Sequence, residues 1–235
     1  MYMFCGSSSV RQFQRQFPGR FSVNVFSAAT MKGLANPGAG KSNGHADIVA
    51  HLARTPGLAA LYLMFGNADL EFSFYYDLVH NPGLHEQAFF TARIEALRNF
   101  LGRLLEAPAV PPVIGVLAPQ LCPLRDDVVL RVTAAHTRLP QEKLAAATAG
   151  IDMAHAARLA RTIRFNDALE ASLQGMAGVQ LLRIDRAMLD EAGGLAEPYF
   201  PAVPRDHHAN KRATFALWRP LLAPVVKPYL PRPTA

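Results

Sequence analysis

The chain has 235 residues, 50% hydrophobic and 18% charged: room for one large core, and too little charge for a chain disordered throughout. The longest apolar stretches, Leu58–Phe65 and Val113–Ala118, fall short of the roughly 20 residues a membrane-spanning helix needs, and the Met1–Ser9 start carries no expected signal peptide. Net charge is +6, but the arginines are scattered over expected helices, which points to a solvated face rather than a nucleic-acid surface; two cysteines, Cys5 and Cys122, make no disulfide framework, so a reduced, cytoplasmic protein is expected.

Met1–Cys5 is a short apolar run that stops at Gly6, as a buried strand does. Val10, Phe13 and Phe17 follow at helical spacing, so the chain opens strand, Gly-Ser turn, helix. Phe21–Phe26 reads as a second strand and His45–Arg54 as a helix. Leu58–Phe65 is apolar throughout, the pattern of a strand buried on both faces. Leu84–Leu105 holds a long amphipathic helix, Pro112–Leu117 a fourth strand, and Pro140–Gln174 is mostly helical. Val179–Ile184 is a fifth strand and Asn210–Leu222 a closing helix. Strands alternating with helices predict a three-layer α/β/α sandwich around a mainly parallel five-stranded sheet. No linker divides residues 1–222, which are expected to form one domain, and residues 223–235 form a Pro-rich basic tail.

Open α/β sheets bind ligands outside the carboxyl ends of their strands. Gly6-Ser7-Ser8-Ser9 follows the first strand, Gly66-Asn67-Ala68-Asp69 the third, and Asp206-His207-His208-Ala209-Asn210 comes after the last. A serine hydroxyl is a poor nucleophile at neutral pH. It needs a base, a carboxylate to orient that base, and N–H donors where negative charge develops.

These blocks resemble the SGNH hydrolase superfamily, the GDSL-type esterases and lipases, and a divergent glycan-related branch of it. Cys5–Arg11 is similar to the first block, with Ser8 at the nucleophile and Ser7 replacing the motif's Asp. Ser27–Leu34 is similar to the second, in which a Gly N–H helps form the oxyanion hole; Gly33 is the glycine present, with Ala28 or Ala29 as rivals. Gly66-Asn67-Ala68-Asp69 resembles the third, Gly-x-Asn-Asp, with Ala68 at the Asn position, so that the side-chain donor is missing or moved to Asn67. His208-Ala209-Asn210 resembles the last, His-Pro-Asn, which makes His208 the base. The motif's Asp position is Arg205, so Asp206 is the implied acid, with Asp185 in reserve. The resemblance implies a flavodoxin-like fold and a serine-dependent esterase or O-acyltransferase, acting on an acylated carbohydrate or other small ester. Ser8, His208 and Asp206 would be catalytic; Gly33, Gly66, Asn67 and Asp69 would form the oxyanion and substrate site. No metal or cofactor is implied.

Plainer readings stand beside these. Ser7, Ser8 and Ser9 also suit a helix cap. Cys5 suits a buried apolar position better than a nucleophile. Asp206, His207 and His208, with Asp69, Glu71 and His45, raise a metal site, but no ligand spacing recurs. Asp69, Leu70, Glu71, Tyr75 and Tyr76 either line a sugar pocket or pack a strand edge. A non-catalytic glycan-binding or assembly protein on the same fold is the alternative function, favoured by Ala68 and Arg205. Ala35–Ser42 matches a relaxed P-loop, which makes a P-loop-like nucleotide-binding enzyme a further, less favoured alternative; no strand leads directly into it and Pro37 removes a backbone donor, so ATP is not expected to bind.

Overall fold

The structure, a computed structural model, describes residues 1–14, 21–27, 29–36, 44–107 and 111–222. The expected tail, Lys41 with most of the Gly-rich loop, Phe17 and Ala28 lie outside the described residues.

Five strands, β1 (Tyr2–Gly6), β2 (Phe21–Val25), β3 (Ala60–Met64), β4 (Ile114–Leu117) and β5 (Val179–Leu182), form one sheet in the order β2-β1-β3-β4-β5. Every neighbouring pair is parallel, as expected. The order reverses between β1 and β3, and that switch point opens the crevice in which such sheets bind ligands.

Side chains alternate across the strands with period two. Met3, Cys5, Leu61, Leu63, Ile114 and Val116 face one core; Phe4, Ala60, Tyr62, Met64 and Leu117 face the other. Helices α1 (Met31–Leu34), α2 (Gly44–Ala53), α3 (Phe74–His80) and α4 (Glu86–Leu105) send Leu34, Ile48, Phe74 and Phe100 to the first core, joined by Leu144 of α6 (Gln141–Thr148) and Phe165 of α7 (His155–Leu173). On the second face, Val10 and Phe13 of a 3-10 turn (Ser8–Phe13) meet Trp218 and Leu222 of α8 (Lys211–Leu222). Each fully buried side chain of this size contributes roughly 1.5–3 kcal/mol of transfer free energy.

The structure departs from expectation in three places. The first helix is a 3-10 turn ending at Phe13. The segment after β3 is helical, a π-turn over Asp69–Ser73 running into α3, so Glu71 and Tyr76 lie on a helix and not along a strand edge. Helix α5 (Asp126–Thr137) has no sequence-level counterpart; its Val128, Val129 and Val132 mimic a strand's composition, yet they pack with Cys122 and Leu124 as a helix face.

Candidate active site

Two glycines fix the strand ends that frame the crevice. A Cβ on Gly6 would run into the Met64 carbonyl on the adjacent strand. Gly66 turns the chain out of β3 at φ +102, and a Cβ there would stand 2.5 Å from Pro119 Cγ, so only glycine fits. Ser8, just past Gly6, opens the 3-10 turn, where first-turn N–H groups have no partner within the helix. Ser7 occupies the N-cap position but makes no side-chain cap bond, and its buried hydroxyl finds no partner among the described residues.

The opposite wall comes from the loop before α8. Asn210 caps that helix, its Oδ1 accepting from the N–H groups of Arg212 (3.1 Å) and Ala213 (3.4 Å), and its own N–H donates to Tyr199 O at 2.9 Å. This anchor holds His208 over the end of β1. His208 Nδ1 lies 2.7 Å from Asp206 Oδ1, which also accepts the His208 backbone N–H at 2.9 Å. An ionised carboxylate only accepts, so Nδ1 carries the proton and Nε2 offers its lone pair to the Ser8 hydroxyl, 2.8 Å away. Partial burial pushes the Asp206 carboxyl up, but the N–H and ring of His208 outweigh it and hold it below the usual carboxylate range. Ser8, His208 and Asp206 are thus brought together. Arg205, at the family's Asp position, is exposed, and Asp185 is buried elsewhere, with Arg183 Nη2 at 2.7 Å.

The implied oxyanion residues fare differently. Gly33 N–H donates to Thr30 Oγ1 at 3.2 Å, capping α1, so it is not free to meet an oxyanion. Asn67 is buried at the crevice wall; its amide donates to Gln120 O at 3.1 Å and lies 3.4 Å from Glu71 Oε1, so its N–H groups are directed at acceptors within the protein. Asp69 is 0% exposed and does not meet the crevice. It accepts from Met31 N at 2.9 Å and forms an ion pair with Arg93 Nε at 3.0 Å that lacks hydrogen-bond alignment. Complete burial pushes its carboxyl up to about 6, against the pull of Met31 N–H and Arg93. Asp69 therefore positions α1, and with it Thr30 at the crevice rim. Gly66 serves the turn.

Several residues at the site carry no short-range sequence signal. Gln12 Oε1 accepts from Gln120 (2.9 Å) and Thr214 (2.8 Å), tying the 3-10 turn to the β4 end and α8 across separations of 108 and 202 residues. Glu71 lines the crevice with Oε2 unpaired among the described residues, and burial, aided by the Asp206 charge and opposed by Asn67, pushes its carboxyl up to about 8. Phe72 stacks on His136 with ring centres 4.2 Å apart, and His207 stands edge-on to both, at 5.0 and 4.6 Å. Burial, with His208 and His136 adding, pushes the His207 ring down to about 3, so it is neutral in ordinary buffers. Ser27, Thr30, Tyr76 and Thr137 complete the lining. Cys5 is buried beneath the sheet end, its thiol pushed up to about 12 by burial against the Asn24 amide, and is inert as a nucleophile.

No family model and no curated protein matches the chain. Solved structures do. A protein from Streptococcus pneumonia assigned as a platelet activating factor superposes with a TM-score of 0.62 at 13% identity, covering 95% of this chain and 83% of its own. A protein from Agrobacterium tumefaciens assigned as an arylesterase gives 0.55 at 17% identity, with 96% and 98% covered. A carbohydrate acetylesterase family member from Sinorhizobium meliloti gives 0.52 at 12% identity, again covering 96% and 98%. At these identities the likeness is one of fold. With its parallel β2-β1-β3-β4-β5 sheet and a serine and a histidine meeting at the β1 end, the chain has the fold of the SGNH hydrolases.

Proposed function

We propose that this protein is a serine-dependent ester hydrolase with Ser8 as nucleophile, His208 as general base and Asp206 as the carboxylate that orients it. One observation carries the reading: the continuous hydrogen-bonded path from Asp206 through His208 to Ser8, 2.7 and 2.8 Å per step. His208 Nε2 takes the Ser8 proton as Oγ attacks the ester carbonyl carbon. The tetrahedral oxyanion is met by the Ser8 N–H at the start of the 3-10 turn. Protonated His208 then gives its proton to the departing alkoxide, leaving an acyl-Ser8 ester. Water attacks the acyl carbon next, its proton passing to His208; the second tetrahedral intermediate expels Ser8 Oγ, which takes that proton back as the acid leaves, and a sugar hydroxyl in place of water makes the same machinery an O-acyltransferase. With Ala68 where the family carries a side-chain donor and Gly33 N–H committed to Thr30, the oxyanion is weakly held, so turnover is slow; one lost donor typically costs ~10²–10³ in rate.

An acylated carbohydrate is the substrate we favour. Hydroxyls of Ser27, Thr30 and Thr137 and the rings of Phe72, Tyr76 and His136 line the crevice, a mixture that suits sugar hydroxyls and the apolar faces of a pyranose. The acetylesterase neighbour lends this choice support. Turnover of p-nitrophenyl acetate and of an acetylated oligosaccharide tests the proposal. Acetate release from both, lost in Ser8→Ala, is the expected result. If neither is cleaved, the protein is better read as a glycan-binding module; if Ser8→Ala retains turnover, the serine mechanism is wrong.

A further inference from the structure

Beside the Ser8–His208 contact, the structure gathers more imidazole than ester hydrolysis uses. His207 and His208 are consecutive, yet their rings lie on the same side of the chain with centres 3.8 Å apart. Asp206 Oδ1 is 2.7 Å from the nearer ring, and one ligand atom from each of Asp206, His207 and His208 falls within a common span of 4.8 Å. His136 stands behind, 4.6 Å from His207. No described residue hydrogen-bonds either ring nitrogen of His207. Its ring packs edge-on against Phe72, 5.0 Å between centres, which places its nitrogens beside the Asp206–His208 pair. The mechanism gives His207 no task.

We infer that Asp206, His207 and His208 form a binding site for a borderline divalent transition metal, of which Zn2+ is the type, and that occupancy switches the serine site off. The donor set is two imidazoles and one carboxylate, the nitrogen–oxygen set that Zn2+ takes at about 2.0–2.2 Å; the site is open to the crevice, leaving a further position for water. Small side-chain rotations close the 4.8 Å span to the spacing of a shared ion. Coordination uses the groups that otherwise hold and orient the base. Asp206 faces Nδ1, so a metal shared with it takes the Nδ1 lone pair and the ring proton moves to Nε2; the imidazole then donates toward Ser8 instead of accepting from it, and the hydroxyl is left without a base. The free metal ion is the only co-reactant, and the one ring N–H proton of His208 changes nitrogen. Ca2+ and Mg2+, which take oxygen ligands, are not expected to bind.

The inhibitory half rests on the proposed ester hydrolysis, whereas binding does not, and the experiment separates them. Zn2+ is titrated calorimetrically into the full-length Ser8→Ala variant, which keeps all three ligands, and into His207→Ala and Asp206→Asn in the same background. The expected result is one site that His207→Ala and Asp206→Asn each weaken by about tenfold or more, at least the effect of losing an outer-shell partner. In the otherwise wild-type chain, Zn2+ inhibits turnover of p-nitrophenyl acetate reversibly, with EDTA restoring it. His207→Ala, compared with its own metal-free turnover, moves the half-inhibitory Zn2+ concentration up by the same factor. No Zn2+ binding to Ser8→Ala, or binding unchanged in both ligand variants, overturns the inference. Zn2+ binding by a protein with no ester turnover overturns the proposed function and leaves the site standing.

Discussion

The turn after β3 and the loop before α8 carry family-like blocks of similar length, each with an Asp, and the fold uses them in opposite ways. In Gly66–Asp69 the polar side chains turn inward: Asn67 to the Gln120 carbonyl, Asp69 to Arg93 and the start of α1. In Asp206–Asn210 they turn outward, and Asp206 is 40% exposed while it holds His208 over Ser8. Two carboxylates that look alike in sequence thus become a buried anchor and a half-exposed partner of His208. What separates them is the partner each finds and how far water is excluded.

Variants of each block break this comparison at different places. The largest effect belongs to the outward block. His208→Ala removes the base and should lower kcat by about 10²–10⁴ while leaving the melting temperature nearly unchanged. Steady-state kinetics beside thermal unfolding checks both halves. Asp69→Asn should do the reverse. It leaves the buried Arg93 with only Asp77 as an ion partner, and unfolding by urea should show a loss of about 3 kcal/mol, at the low end for a broken buried pair because Asp77 remains at 2.6 Å. A kcat loss in folded Asp69→Asn as large as that of His208→Ala would place Asp69 in the chemistry and collapse the distinction.

Ala68→Asn sharpens it further. Position 68 lines the crevice where the family carries its donor, so a restored side-chain amide should raise kcat by about one to two orders of magnitude, with little change in KM. No gain would mean that the oxyanion lies elsewhere.

The smallest effect is on pH dependence. Glu71 is pushed from 4.5 in the unfolded chain up to about 8 in the folded one, and Asp69 from 3.8 up to about 6. The folded state therefore holds protons that the unfolded state has released. The stability from these groups is full below pH 3.8 and falls as pH rises, through about 6 for Asp69 and about 8 for Glu71. In Glu71→Gln, melting temperature should lose the decline that Glu71 contributes between about pH 4.5 and 8 and keep the part that Asp69 contributes between about pH 3.8 and 6. An unchanged profile would show Glu71 ionised in the folded protein.

The frame of the molecule was legible because its signals are local. Leu58–Phe65 reads as a strand buried on both faces and Pro112–Leu117 as a strand after a Pro-rich stop, and alternation with helices leaves few topologies. Ser8 and His208 were legible because each sits in a short block after a strand. What escaped depends on long-range packing. Asp69 reads as a crevice residue until Arg93, two helices later, buries it. The Gln12–Gln120–Thr214 link joins residues that no spacing rule connects. Helix α5 is not legible: its valines carry little helix propensity, and the helix shows itself in their packing with Cys122 and Leu124.

The central claim is that Ser8 is a nucleophile activated by His208, and covalent labelling tests it most directly. The protein is treated with a fluorophosphonate, and the adduct is counted by intact mass and located by peptide mapping. The account predicts one adduct per chain, on Ser8, absent in Ser8→Ala and formed much more slowly in His208→Ala. An adduct that persists in Ser8→Ala, or the lack of any adduct on a folded wild-type chain, would contradict it.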